Sequence, residues 1–132
     1  MLGDADLTTM VAVKDAAEAA KFYEHALGLT KLDSSPTVIR YQSGPGTLVV
    51  YESPTAGTNQ ATTAVWTVDD LEGTVAALKE RGVPFVHYDD VPGVTRHGDI
   101  HDNGVFETAW FTDPTGNIFE VNEGVDLNEI GV

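Results

Sequence analysis

Residues 110–121 read WFTDPTGNIFEV, and this stretch sets the fold class. At its centre, Asp113-Pro114-Thr115-Gly116 has type I turn chemistry. Asp suits the first position, Pro pre-sets the backbone of the second, and Gly is tolerated at the fourth. Trp110 to Thr112 and Asn117 to Val121 flank the turn and are rich in aromatic and branched residues, so a β-hairpin is predicted. Side chains alternate across a sheet, which puts Ile118 and Glu120 on one face and Phe119 and Val121 on the other. An acid inside an apolar strand faces either water or a site. Glu120 is therefore the first candidate functional residue.

Working outward from the hairpin, the chain shows one pattern used twice. Leu7 to Val13 has strand character and ends at Lys14-Asp15. The Asp15 carboxylate can accept the free N–H groups of a first helical turn starting near Ala16. In AAEAAKFYEHALG, residues Ala19, Phe22, Tyr23, Ala26 and Leu27 form one apolar stripe at helical spacing, and Gly28 stops the helix. Short strands follow at Thr30 to Leu32, Thr37 to Gln42 and Thr47 to Glu52, the last two joined by the turn SGPG. A polar linker, SPTAGTNQA (53–61), leads into the second copy. Thr62 to Val68 is a strand, Asp70 a cap, and LEGTVAALKERG a helix with Leu71, Val75 and Leu78 inward and Gly82 as its stop. Val83 to Tyr88 is a strand, DDVPGVTRHGDIHDNG (89–104) a loop, and the hairpin closes the module. Asp15 and Asp70 are 55 residues apart, as are Thr8 and Thr63. A strand-helix-strands unit repeated at this period gives an α+β fold of two βαβββ modules. Module one spans about 7–52 and module two about 62–123, with a tail at 124–132, all within a single domain of 1–132.

Composition narrows the function classes. Of 132 residues, 42% are hydrophobic and 21% charged, which describes a globular chain with a real core. It contains no cysteine, so disulfides, thiolate metal sites and cysteine nucleophiles are all excluded. Lys and Arg total 7 against 21 Asp and Glu, a net charge of −14. Such a field repels nucleic acid and anionic membranes and tolerates neutral or cationic ligands. The start, MLGDADLTTM, lacks a basic segment followed by an apolar one, and no run approaches a membrane span; a cytoplasmic location is expected.

The runs VKDAAEAAKFYEHALGL and VDDLEGTVAALKERGVPFV, with the hairpin FTDPTGNIFEV, resemble the vicinal-oxygen-chelate superfamily, the glyoxalase, bleomycin-resistance and extradiol-dioxygenase group. The likeness runs from about Leu7 to Glu123. It implies eight strands in two curled mixed sheets with helices outside, a site on the concave faces, and a homodimer. It also implies where metal ligands would stand in the family's enzymes: one on the first strand of each module, seven residues before the helix-preceding Asp, and one on each module's last strand. In this chain those positions hold Thr8, Thr63, Val49 and Glu120. Of the four, Glu120 alone is a good ligand, since a neutral hydroxyl is a poor substitute for imidazole on a transition metal. The usual metal site is therefore expected to be lost, with no cofactor. The alternative is one divalent metal at a relocated site.

Alternation assigns Thr8, Met10, Val49, Tyr51, Thr63, Val65, Ile118 and Glu120 to the open face. It assigns Thr9, Val11, Val13, Leu48, Val50, Trp66, Val68 and Phe119 to the core. An apolar lining with hydroxyls and one acid suits a small organic ligand carrying one or two polar handles. In RHGDIHD, an extended backbone would point His97, Asp99 and His101 one way, a possible ligand set or base-and-acid pair that could close over the pocket mouth. His25 and His87 read as structural. Arg40 and Arg96 are the candidate anion clamps, too few for a multiply anionic substrate. Three functions follow: a metal-independent small-molecule-binding protein; a lyase, isomerase or dioxygenase-type enzyme with Glu120 as general base; or a metal enzyme drawing on His97, His101 and Glu120.

Overall fold

A computed structural model describes residues 1–124. The tail expected at 124–132 lies, from residue 125 on, outside the described residues. The chain forms two compact units. One comprises Met1–Gln60 together with the turn residues Pro114–Asn117; the other runs over Ala61–Asp113 and resumes at Ile118.

In the first unit a short 3₁₀ turn, Leu2–Asp4, precedes β1 (Thr8–Val13). Asp15 then caps α1 (Ala16–Ala20), its side chain accepting from the Glu18 N–H at 3.0 Å. The helix continues as π-helical turns over Lys21–Ala26, where the Leu27 N–H reaches back five residues to the Phe22 carbonyl. Of the predicted stripe, Ala19, Phe22, Tyr23 and Ala26 are buried and Leu27 is half-buried. Strands β2 (Thr30–Ser34), β3 (Val38–Ser43) and β4 (Gly46–Glu52) complete a four-stranded sheet in the order β1-β4-β3-β2, with β1 and β4 parallel. Val11, Val13, Ile39, Tyr41, Leu48 and Val50 are buried. Tyr41 stacks on Tyr23 and donates its hydroxyl to Glu24 at 2.8 Å.

The second unit repeats the plan and extends it. β5 (Thr62–Val68) leads to α2 (Leu71–Glu80), whose Asp70 cap accepts from the Gly73 N–H at 3.0 Å and whose Leu71, Val75 and Leu78 are buried. Then come β6 (Phe85–Val86), β7 (Thr95–His97), β8 (Ile100–Asp102), β9 (Glu107–Thr112) and β10 (Ile118–Glu123), in the order β5-β10-β9-β8-β7 with β6 also on β9. Phe111 and Phe119 are buried against Trp66, which stacks on Phe111 at 6.0 Å and meets Phe119 at a tilt at 5.4 Å between centroids, to form this unit's aromatic core.

A shared device closes both modules. The last residue of each final strand, Glu52 or Glu123, accepts from the first helical N–H of its own module, that of Ala16 at 2.9 Å or Leu71 at 3.3 Å. A carboxylate there satisfies an otherwise orphaned donor and complements the helix dipole. The pair also locks helix start to strand end.

Four expectations need correction. There are ten strands, not eight, among the described residues. The additional pair is β7–β8, inside the segment 89–104 expected to be a loop; Gly98, at φ 63°, begins the two-residue turn between them, a backbone state that a side chain would resist. The strand expected at Val83 to Tyr88 shrinks to Phe85–Val86. Pro84 has no N–H to give, and the Tyr88 N–H is taken by the His101 side chain instead of a strand. Finally, the last hairpin's connection runs from Asp113 to Asn117, because Thr112 pairs with Ile118; the Asn117 side-chain Nδ2 donates to the Ala12 carbonyl at 2.8 Å.

Candidate functional site

The register of that hairpin builds the site. With Thr112 opposite Ile118, Trp110 falls directly opposite Glu120, and the parallel neighbour of Glu120 on β5 is Val65. Cross-strand partners share a face, so the indole and the carboxylate look the same way, away from the core of Phe111 and Phe119. The β7–β8 hairpin supplies the next wall, since β8 pairs with β9 through His101–Thr108. The short connection after it is shaped by Asn103, whose side-chain carbonyl accepts from the Val105 and Phe106 N–H groups at 2.9 Å each. The result is a cavity of about 220 Å³ lined by Val94, His101, Asn103, Phe106, Thr108, Trp110 and Glu120.

Its chemistry is aromatic with one charge. Trp110 makes edge contacts with His101 and Tyr88, at centroid distances of 4.8 and 5.0 Å. Thr108, 5% exposed, donates its hydroxyl to Glu120 Oε2 at 2.8 Å, with the Val121 carbonyl a second acceptor at 3.0 Å. Glu120 is half-buried, and no Lys, Arg or His pairs with it among the described residues.

His101 is 1% exposed. Its Nε2 accepts from the Tyr88 N–H at 2.9 Å, which places the ring proton on Nδ1, and Nδ1 itself has no hydrogen-bond partner. Burial holds this imidazole below the ordinary histidine range; the carbonyls of Asp99 and Thr108 push the other way without closing a hydrogen bond to Nδ1. Protonating Nε2 would break the bond to Tyr88. His101 is a neutral wall.

The three polar residues of the hairpin do not converge. His97 is exposed on β7 and does not line the cavity. Asp99, at the turn, is held by Lys79 Nζ of α2 at 2.8 Å and His87 Nε2 at 2.7 Å, which keep its carboxyl below the usual carboxylate range. His87, expected to be structural, thus anchors the hairpin. Both candidate anion clamps are already paired, Arg40 with Asp33 at 2.8 and 3.0 Å and Arg96 with Asp89 at 2.7 and 3.2 Å.

The remaining expected open-face residues are placed as follows. In the first unit, Met10 pairs with Val49 across β1 and β4; Met10 is 53% exposed, Val49 only 7%, Thr8 exposed and Tyr51 half-buried. In the second, Thr63 falls where the β10–β5 register shifts, Val65 is 51% exposed, and Ile118 is half-buried at the start of β10. Thr63, Val65 and Ile118 do not line the cavity. Sequence reasoning missed Trp110, Phe106, Thr108, Asn103 and Val94. Trp110 could have been found only with the five-residue connection in hand, since a four-residue turn shifts the pairing and puts a different residue opposite Glu120.

A strand-helix-strands module used twice, with a cavity on the second sheet, defines the fold class. The chain belongs to the Glyoxalase/Bleomycin resistance protein/Dioxygenase superfamily, whose family model matches residues 7–121. Three solved structures share the fold. A glyoxalase/bleomycin resistance protein/dioxygenase from Alicyclobacillus acidocaldarius is 20% identical, with a TM-score of 0.70 and 96% of each chain covered. The antibiotic-binding protein TnmS3 from a Streptomyces species is 23% identical with a TM-score of 0.70, covering 95% of this chain and 99% of its own. A fosfomycin resistance protein from Mesorhizobium loti is 10% identical with a TM-score of 0.70, covering 99% and 100%. No curated protein matches the chain. No helix among the described residues is long and apolar enough to cross a membrane.

Thr8, Val49 and Thr63 at the implied positions offer two hydroxyls and an alkyl group. Among the described residues, no three His, Asp or Glu side chains come together to hold an ion.

Proposed function

We propose that this chain is a small-molecule-binding member of the family that works without a metal, taking part of an organic ligand into the cavity beside Trp110, Phe106 and Glu120. The observation that carries this reading is an aromatic-walled cavity containing a carboxylate that no side-chain cation neutralises among the described residues. Aromatic faces give apolar area with little entropy cost, and one fixed polar group sets orientation. That TnmS3 is described as antibiotic-binding makes sequestration of a natural product a fitting role for the fold. His101 does not serve as a ligand in a relocated metal site on this reading, because its Nε2 lone pair is already used by Tyr88 and its Nδ1 is buried. The chain is proposed to act as a homodimer, since β1 and β5 are sheet edges and carry the exposed Met10 and Val65.

The test is a ligand-observed NMR screen of small aromatic compounds on the intact chain and on Trp110→Ala, with elemental analysis of the same preparation. Binders that lose contact in the variant, in protein carrying less than about 0.1 metal ion per chain, are the expected outcome. Binding indifferent to Trp110→Ala, or dependent on a stoichiometric transition metal, would overturn the proposal.

A further inference from the structure

Within that reading, we propose that the group bound in the cavity is an organic cation on a flat ring, such as an amidinium, a protonated aryl amine or a protonated nitrogen heterocycle. Its positive nitrogen would sit against Glu120 and its ring against Trp110 and Phe106.

Four observations converge on a cation. First, Glu120 is the one formal charge on the lining. Its Oε2 is steadied by Thr108, and no protein cation compensates it among the described residues. A half-buried carboxylate without a cationic partner can accept a charge-assisted hydrogen bond from an incoming cation. Second, no competing positive charge lines the site. His101 is neutral, Arg96 is committed to Asp89 and the Gly98 carbonyl, and Lys79 to Asp99. Third, Trp110 stands directly opposite Glu120 in the strand register and Phe106 lines the same cavity, and a cation over an indole gains from the ring quadrupole in a way that a neutral or anionic group does not. Fourth, a net charge of −14 draws cations toward the protein and repels anions before any contact is made. Size sets the remaining limit. A cavity of about 220 Å³ lies below the roughly 300–1,000 Å³ that enclose drug-sized ligands. It holds one ring with a short substituent, or one end of a longer molecule.

Three probes of nearly the same shape separate charge from shape: benzamidine (cation), benzamide (neutral) and benzoate (anion). Each is titrated into the intact chain, with tryptophan fluorescence and amide NMR shifts as readouts. Trp110→Phe assigns the optical signal against Trp66. Benzamidine is expected to bind at least about tenfold more tightly than benzamide, as for a charge-assisted hydrogen bond. Benzoate should not bind. Glu120→Gln should bring benzamidine within about twofold of benzamide, and raising the salt should weaken benzamidine alone. Equal binding of benzamide and benzamidine, or a preference that survives Glu120→Gln, refutes the cation and leaves the cavity reading standing. If neither these probes nor a wider set of neutral aromatics shifts Trp110, the cavity is not a ligand site and both proposals fall. Thermal melts check that Glu120→Gln is folded; should it not be, the salt dependence of the unmodified chain decides the charge question.

Discussion

Thr108→Val tests whether the Glu120 carboxylate is held in place by the protein. Thr108 sits in β9, and valine matches its shape and its preference for extended backbone, so the substitution changes hydrogen bonding and little else. The hydroxyl has one proton and two acceptors, Glu120 Oε2 at 2.8 Å and the Val121 carbonyl at 3.0 Å. The charged acceptor is the nearer and the stronger. A hydrogen bond to a charged group contributes about 1.5–3 kcal/mol when fully counted. Glu120 is only half-buried, so water recovers part of that in the variant. The net loss works out at about 1 kcal/mol, or a fall in melting temperature of about 3–5 °C for a domain of this size. Chemical denaturation with an unchanged slope is the assay. A double-mutant cycle with Glu120→Gln isolates the pair and should return a coupling of about 0.5–1 kcal/mol. Glu120→Gln alone, outside the core, should stay within about 1 kcal/mol of the unmodified chain. A Thr108→Val protein as stable as the parent, with coupling near zero, would show that the carboxylate is not oriented by Thr108 and that the site is not preorganised.

Removing the Asp70 cap by Asp70→Ala should cost about 1 kcal/mol and fray the start of α2, seen as faster amide exchange at Gly73; unchanged exchange there would refute the capping role. Tyr41→Phe leaves the stacking on Tyr23 but removes the hydroxyl from Glu24, and thermal melts should show about 1 kcal/mol lost, whereas equal stability would mean the bond contributes nothing net. Asp99 is held below the usual carboxylate range first by Lys79 and then by His87. A depressed carboxylate contributes stability that is complete above its unfolded value of about 3.9 and is lost as pH falls through the lower folded value. Asp99→Asn should therefore lower stability at neutral pH while the gap to the parent closes below about pH 4, and a gap that widens on acidification would contradict the assignment.

Much of the architecture was legible because its signals are local. Asp15 and Asp70 cap helices through their own first turns, Gly28 and Gly82 end them, and the buried stripes on α1 and α2 follow from helical spacing alone. The 55-residue offset between copies then made the two-module plan readable without any knowledge of contacts. Alternation also placed Phe119 and Val121 inward and Glu120 outward. The site was less accessible. Strands β7 and β8 are three residues each, too short to carry a period, so RHGDIHD read as an open loop when it is a hairpin that buries His101. Which residue faces Glu120 depended on a one-residue difference in turn length, and a slip of one exchanges every partner across the ladder. Glu52 and Glu123 cap helices 36 and 52 residues upstream, contacts that no window of sequence contains. Local sequence thus determined the elements, their ends and their inward faces, because backbone chemistry and periodicity act over a few residues. Pairing register and long-range hydrogen bonds decided which side chains meet around the cavity, because those are set only when distant strands come together.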